Sequence, residues 1–215
     1  MNIDITSTLE NTPVVPLVQA DDPSTAIQIS RALAAGGLTV AEVVFRTDAA
    51  LECLAAVARE VPEMIAGAGT VLNAAQAELA IDAGARFVVC PGLDADTVHL
   101  CQSKSIPVYP GTMTPSEVMQ AWNLGLREVK FFPASLAGGI SMLKALGSVF
   151  REIRFMPTGG VSVSNLGEFL AVPCVLACGG SWLTPSTAIA SGDYGEITRL
   201  ASEAVAIARQ AKTGS

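Results

Sequence analysis

Histidine is almost missing from this chain of 215 residues: His99 is the only one. A histidine-based metal site, and any Ser-His-Asp triad built elsewhere in the chain, are excluded with it. His99 itself reads as a residue on the surface of a helix. Charge is sparse at 15% and leans acidic, with 13 Lys and Arg against 20 Asp and Glu for a formal net charge of −7. There is no basic stripe or tail, so nucleic acid is not an expected partner. No apolar run approaches the roughly 18 residues of a membrane span. The opening Met1-Asn2-Ile3-Asp4 lacks the positive stretch that starts a secretion signal. The expectation is a soluble cytoplasmic protein with no membrane partner. No C-x-x-C pair occurs either. The five cysteines, Cys53, Cys90, Cys101, Cys174 and Cys178, fall in apolar stretches and read as reduced core thiols.

What is plentiful is apolar sequence, at 50% of residues, enough for one large core. Short runs rich in Val, Ile and Phe alternate with Ala- and Leu-rich stretches of helical period. Eight strand candidates result: 14–18, 40–45, 64–68, 87–90, 107–109, 128–132, 154–156 and 174–177. Their starts lie roughly 20 to 26 residues apart, the length of a strand, a helix and two short loops. Asp22-Pro23, Asn73 and Thr114-Pro115 mark helix starts, and Gly36-Gly37, Gly84 and Gly125 mark helix ends. This rhythm predicts an α/β fold, a (β/α)8 TIM barrel, with a short extra N-terminal helix over 3–11 and a single domain over 1–215. A doubly wound open sheet is the competing architecture. Its dinucleotide signature fails, because Gly67-Ala68-Gly69 is followed by Leu72 where a third glycine belongs.

In a barrel the strand C-termini carry the chemistry, and unusual residues gather there. Gly159-Gly160 and Gly179-Gly180-Ser181 follow the last two strands. They serve either as tight turns or as a phosphate cradle of backbone N–H groups, with Trp182-Leu183 opening a short helix. Lys130 stands in Val129-Lys130-Phe131-Phe132. It is either an edge-strand lysine reaching solvent or an amine inside the barrel, where burial favours the neutral nucleophile that condenses with a ketone. Glu42 and Arg46 share one face of the second strand, with Val44 between them. They form a supporting ion pair, or else a proton shuttle and an anchor for an anionic substrate. Thr70 adds a hydroxyl at the end of the third strand.

Taken together, the segments GLTVAEVVFRT (37–47), GAGTVLN (67–73), PGL (91–93), VKFFPA (129–134), PTGGV (157–161) and GGSWL (179–183) resemble the 2-keto-3-deoxy-6-phosphogluconate aldolase family. This is a class I family that also uses 4-hydroxy-2-oxoglutarate. The likeness covers nearly the whole length. It implies a (β/α)8 barrel, a homotrimer, and lyase chemistry through a Schiff base. By matching motifs, Lys130 is the imine-forming lysine and Glu42 the general acid/base. Arg46 and Thr70 match binders of the pyruvate carboxylate, Pro91 and Phe132 match residues that wall the reacting carbons, and Thr158 matches one near the substrate hydroxyls. Gly159, Gly160, Gly180 and Ser181 match the phosphate site. The implied partners are small molecules, a phosphorylated 2-keto-3-deoxy sugar acid and pyruvate. No cofactor or metal is implied, since an iminium does the work of a Lewis acid. Two departures stand out: Val44, where the family commonly has Thr, and the segment Tyr109-Pro110-Gly111-Thr112-Met113-Thr114. A phosphogalactonate-type aldolase, a phosphosugar epimerase and a phosphate-binding barrel without lyase activity are the alternatives.

Overall fold

A computed structural model describes residues 5–213. The chain opens with α1 (Ile5–Asn11) and continues β1 (Val14–Val18), α2 (Pro23–Ala35), β2 (Val40–Val44), α3 (Ala50–Glu60), β3 (Ile65–Gly69), α4 (Ala74–Asp82), β4 (Val88–Val89) and α5 (Ala95–Ser103). It then runs through β5 (Val108–Tyr109), β6 (Gly111–Thr112), α6 (Pro115–Asn123), β7 (Glu128–Phe131), α7 (Gly139–Val149), β8 (Arg154–Pro157), α8 (Leu166–Leu170), β9 (Cys178–Gly180), α9 (Ser186–Ser191) and α10 (Tyr194–Thr213). Residues 3 and 4 of the expected N-terminal helix lie outside the described residues.

Among the described residues every strand pair is parallel. Six strands follow the order β5-β4-β3-β2-β1-β9 and three more the order β6-β7-β8, giving a curled parallel sheet with helices on its outer face. Isolated bridges join Phe155 to Val175 and Thr158 to Gly179. Period-2 alternation sorts the strand residues between two cores. Val18, Val43, Ala68, Val88, Phe131 and Phe155 face the helices and join the main core. Val15, Val40, Val89, Tyr109 and Met156 face inward with Phe87 and meet Ile5 and Leu9 of α1, which covers that side.

Helix starts follow the expected chemistry. The Asp22 and Asn73 carboxylate and amide oxygens accept from the backbone N–H groups of Thr25 and Gln76. Thr114 and Glu117 form a reciprocal capping box. Two expectations need correction. The last strand is 178–180 rather than 174–177, with only Val175 bridging before it. Pro173 removes a donor there, and the N–H groups of Val175 and Leu176 go to Val172 and Phe155. The short helix after Gly179-Gly180 begins at Ser186, not at Trp182, and Thr184 donates instead to the Leu17 carbonyl.

Candidate active site

β2 and β7 deliver the two groups with most chemistry. Glu42 and Lys130 are polar side chains on apolar strands, and both point inward. Glu42 is 1% exposed and Lys130 3%. Register explains how each fits. Glu42 lies beside Leu17 on one side and Gly67 on the other. A β-carbon on Gly69 would stand 2.5 Å from Glu42 Oε2, so only glycine leaves that space for the carboxylate. Gly67 clears room in the same way for the Phe87 ring. The glycines of this segment therefore serve packing, not dinucleotide binding. Lys130 lies beside Gly111 and Met156, and its backbone N–H donates to the Pro110 carbonyl. A β-carbon at Gly111 would meet the Pro91 carbonyl, which places Pro91 against the same rim. Lys130 Nζ stands 5.0 Å from the centre of the Phe132 ring.

Burial pushes the Glu42 carboxyl above the ordinary glutamate range, and the positive charges of Lys130 and Arg46 pull the other way without overcoming it. Glu42 Oε2 has no hydrogen-bond partner among the described residues. A buried carboxyl with a raised pKa and a free oxygen is poised to exchange a proton with something bound beside it. Arg46, two residues beyond the end of β2, is exposed, and its Nε donates to Thr70 Oγ1 at 3.2 Å. Thr70 adopts φ +61°, a left-handed conformation that non-glycine residues rarely hold. That turn aims its hydroxyl at the guanidinium.

The glycine pairs converge on the same rim. Thr158 is 5% exposed and bridges Gly179, whose absent β-carbon would collide with Thr158 Oγ1. Gly159 and Gly160 have φ +95° and +84°, and a β-carbon at Gly160 would lie 2.0 Å from Ser135 Oγ. The Gly159 carbonyl accepts from Ser135 N–H, and the Gly160 carbonyl accepts from Asn165 Nδ2. Gly180 is buried against Trp182, and Ser181 is exposed at the rim. Arg46, Val44 and Ser181 line one cavity of about 410 Å3 together with Gln19, a residue sequence reasoning passed over. Its signal was the two-residue phase Val15, Leu17, Gln19 along β1. The cysteines stay out of this chemistry: all five are free, and burial pushes Cys90 up to about 12 and Cys101 up to about 11. His99 is exposed on α5.

A curled parallel α/β sheet with a buried lysine and glutamate at the rim defines a class of barrel-like enzymes. Residues 5–200 match the family model described as Aldolase: KDPG and KHG aldolase. The KHG/KDPG aldolase of Escherichia coli K12 is 45% identical over 199 residues, covering 93% of each chain. Two crystal structures are also similar. The 2-keto-3-deoxy-6-phosphogluconate aldolase of Zymomonas mobilis ZM4 with 3-phosphoglycerate has a TM-score of 0.88 and 42% identity, covering 96% of this chain and 97% of that one. The KDPG aldolase of Legionella pneumophila, with pyruvate captured as a covalent carbinolamine, has a TM-score of 0.91 and 36% identity, covering 95% and 100%. The chain belongs to the KDPG and KHG aldolase family and is a lyase.

Proposed function

We propose that this enzyme reversibly cleaves 2-dehydro-3-deoxy-6-phosphogluconate to pyruvate and glyceraldehyde 3-phosphate, and 4-hydroxy-2-oxoglutarate to pyruvate and glyoxylate. The observation that carries this reading is a buried lysine and a buried carboxyl on inward positions of β7 and β2, near enough that the charges of Lys130 and Arg46 both act on Glu42. The unprotonated Lys130 amine adds to the C2 ketone, and Glu42 relays protons as the carbinolamine loses water to an iminium. Glu42 then takes the C4 hydroxyl proton. The C3–C4 bond breaks, and its electron pair flows into the iminium to give an enamine. Protonation of the enamine at C3 and hydrolysis release pyruvate and restore the lysine. Arg46 and Thr70 hold the carboxylate, and Pro91 and Phe132 enclose the reacting carbons. Thr158 lies near the hydroxyls. Gly159, Gly160, Gly180 and Ser181 receive the phosphate. In a chain of net charge −7, Arg46 supplies local attraction that the overall field opposes.

The architecture belongs to the same proposal. β5 and β6 flank Pro110 as two halves of one strand, and the Phe155–Val175 and Thr158–Gly179 bridges support closure into a single-domain (β/α)8 barrel over 1–215 with α1 as its N-terminal cover. The assembly is a cytoplasmic homotrimer; light scattering tests the trimer, and fractionation of the cells that make it tests the location. For the chemistry, borohydride reduction in the presence of pyruvate, followed by peptide mass spectrometry, should place the adduct on Lys130. Lys130→Met should abolish both adduct and turnover. Folded wild-type protein that forms no adduct would overturn the aldolase reading. Turnover retained by Lys130→Met would point to epimerase chemistry instead.

A further inference from the structure

We infer that Gln19 is a specificity-determining residue that reads a hydroxyl on the aldehyde half of the substrate; this rests on the aldolase reading above. Inward residues along β1 alternate: Val15 joins the inner core and Leu17 lies beside Glu42. Gln19 comes next in that phase, just past the strand end, where the inner face opens at the rim. It lines the 410 Å3 cavity shared by Arg46, Val44 and Ser181. That cavity has Arg46 of the proposed carboxylate anchor and Ser181 of the proposed phosphate cradle on its wall, and Leu17, the β1 neighbour of Glu42, ties it to the reacting centre.

The chemistry of the lining selects the ligand group. Val44 offers no polar atom. Thr184 Oγ1 is committed to the Leu17 carbonyl at 2.7 Å. Asp21, also on the cavity, is a carboxylate that accepts only, so it cannot both donate to and accept from a hydroxyl. Gln19 is exposed, and its carboxamide both donates and accepts, the complement of a hydroxyl group. The amide stands exposed on the cavity wall, where a bound substrate would meet it.

The test compares two reactions of the full-length enzyme. One is cleavage of 2-dehydro-3-deoxy-6-phosphogluconate. The other is exchange of the pyruvate methyl protons with deuterated water, followed by NMR, which passes through the same imine and enamine but involves no aldehyde half. Gln19→Leu should lower kcat/KM for cleavage about tenfold, the loss of one neutral hydrogen bond in the bound state. Exchange should change less than twofold. Losses on the two reactions within about threefold of each other, whether both large or both negligible, would overturn the assignment of Gln19. Wild-type enzyme that neither exchanges nor cleaves would overturn the aldolase reading itself, and with it this one.

Discussion

Glu42 concentrates the conflict between stability and chemistry. A carboxyl held at 1% exposure with one oxygen unpartnered is costly to ionise, and the raised pKa expresses that cost. The sign of the pH dependence follows. Because the folded-state pKa lies above the unfolded value, the folded protein holds a proton that the unfolded chain has released, and stability falls as pH rises from about 4.3, the free glutamate value, through the folded pKa. Glu42→Gln removes this titration. The difference in melting temperature between Glu42→Gln and wild type should therefore grow in favour of the variant from pH 4 to pH 8. Over the same range the variant should lose about 10²- to 10⁴-fold in kcat, the usual contribution of a positioned proton carrier. Melting curves at both pH values check the first statement, and steady-state cleavage the second. A melting difference that is flat with pH would mean that Glu42 titrates normally. Gly69 belongs to the same residue-scale argument. Gly69→Ala would push a methyl group to 2.5 Å from Glu42 Oε2. It should cut pyruvate proton exchange by at least about tenfold while borohydride still traps Lys130, only more slowly, since the displaced carboxylate slows imine formation but the lysine stays in place.

Among the elements, the short helix caps and glycine turns were the most readable from sequence. Asp22, Asn73 and Thr114 each announce a helix by side-chain type alone, and each caps one. The Thr114 box is the tightest local signal, so Thr114→Ala should cost about 1 kcal/mol and lower the melting temperature by about 2–4 °C without changing kcat. Glycine spacing was legible as turns but not as to cause. Gly160 needs both its φ of +84° and the absence of a β-carbon beside Ser135 Oγ. A sequence displays the glycine and hides the neighbour. Gly160→Ala should destabilise by about 1–3 kcal/mol and raise KM for the phosphorylated substrate more than it slows pyruvate exchange, as kinetics beside a melting curve would show. Lys130 and Glu42 were legible because a charge inside an apolar strand breaks a local rule. Gln19 was not, since a polar residue just past a strand end breaks none. The last strand differs because Val175-Leu176-Ala177 is apolar enough to pair and does bond to Phe155 of β8, while Pro173 lacks a donor and the Val175 N–H turns back to Val172, leaving one isolated bridge before the strand proper.

At the scale of the whole molecule, the inner core needs closing on the side away from the rim, and α1 supplies the cover. Ile5 and Leu9 are 2% and 1% exposed against inward residues such as Phe87 and Tyr109, whose rings meet edge to face at 6.1 Å. The cover is latched by charge. Thr6 Oγ1 donates to both Glu128 oxygens, and Arg154 bridges Glu128 on β7 to Glu10 on α1. The contacts to α1 were not visible in sequence, because those partners lie more than a hundred residues apart and pair only once β7 and β8 stand beside the helix. Glu128 is two residues before Lys130 on the same strand and phase, so the latch and the lysine share one support. Arg154→Leu leaves the Glu128 carboxylate, whose side chain is only 19% exposed, without its cation. The expected cost is about 1–3 kcal/mol, discounted from a fully buried pair because Arg154 is about a third exposed. Hydrogen exchange followed by mass spectrometry should show faster exchange in α1 and across 128–131 and 154–157, with little change in α10. Glu128→Gln in the same background should recover part of the stability by removing the stranded charge. If Arg154→Leu instead left α1 as protected as in wild type, apolar packing of Ile5 and Leu9 alone would be holding the cover.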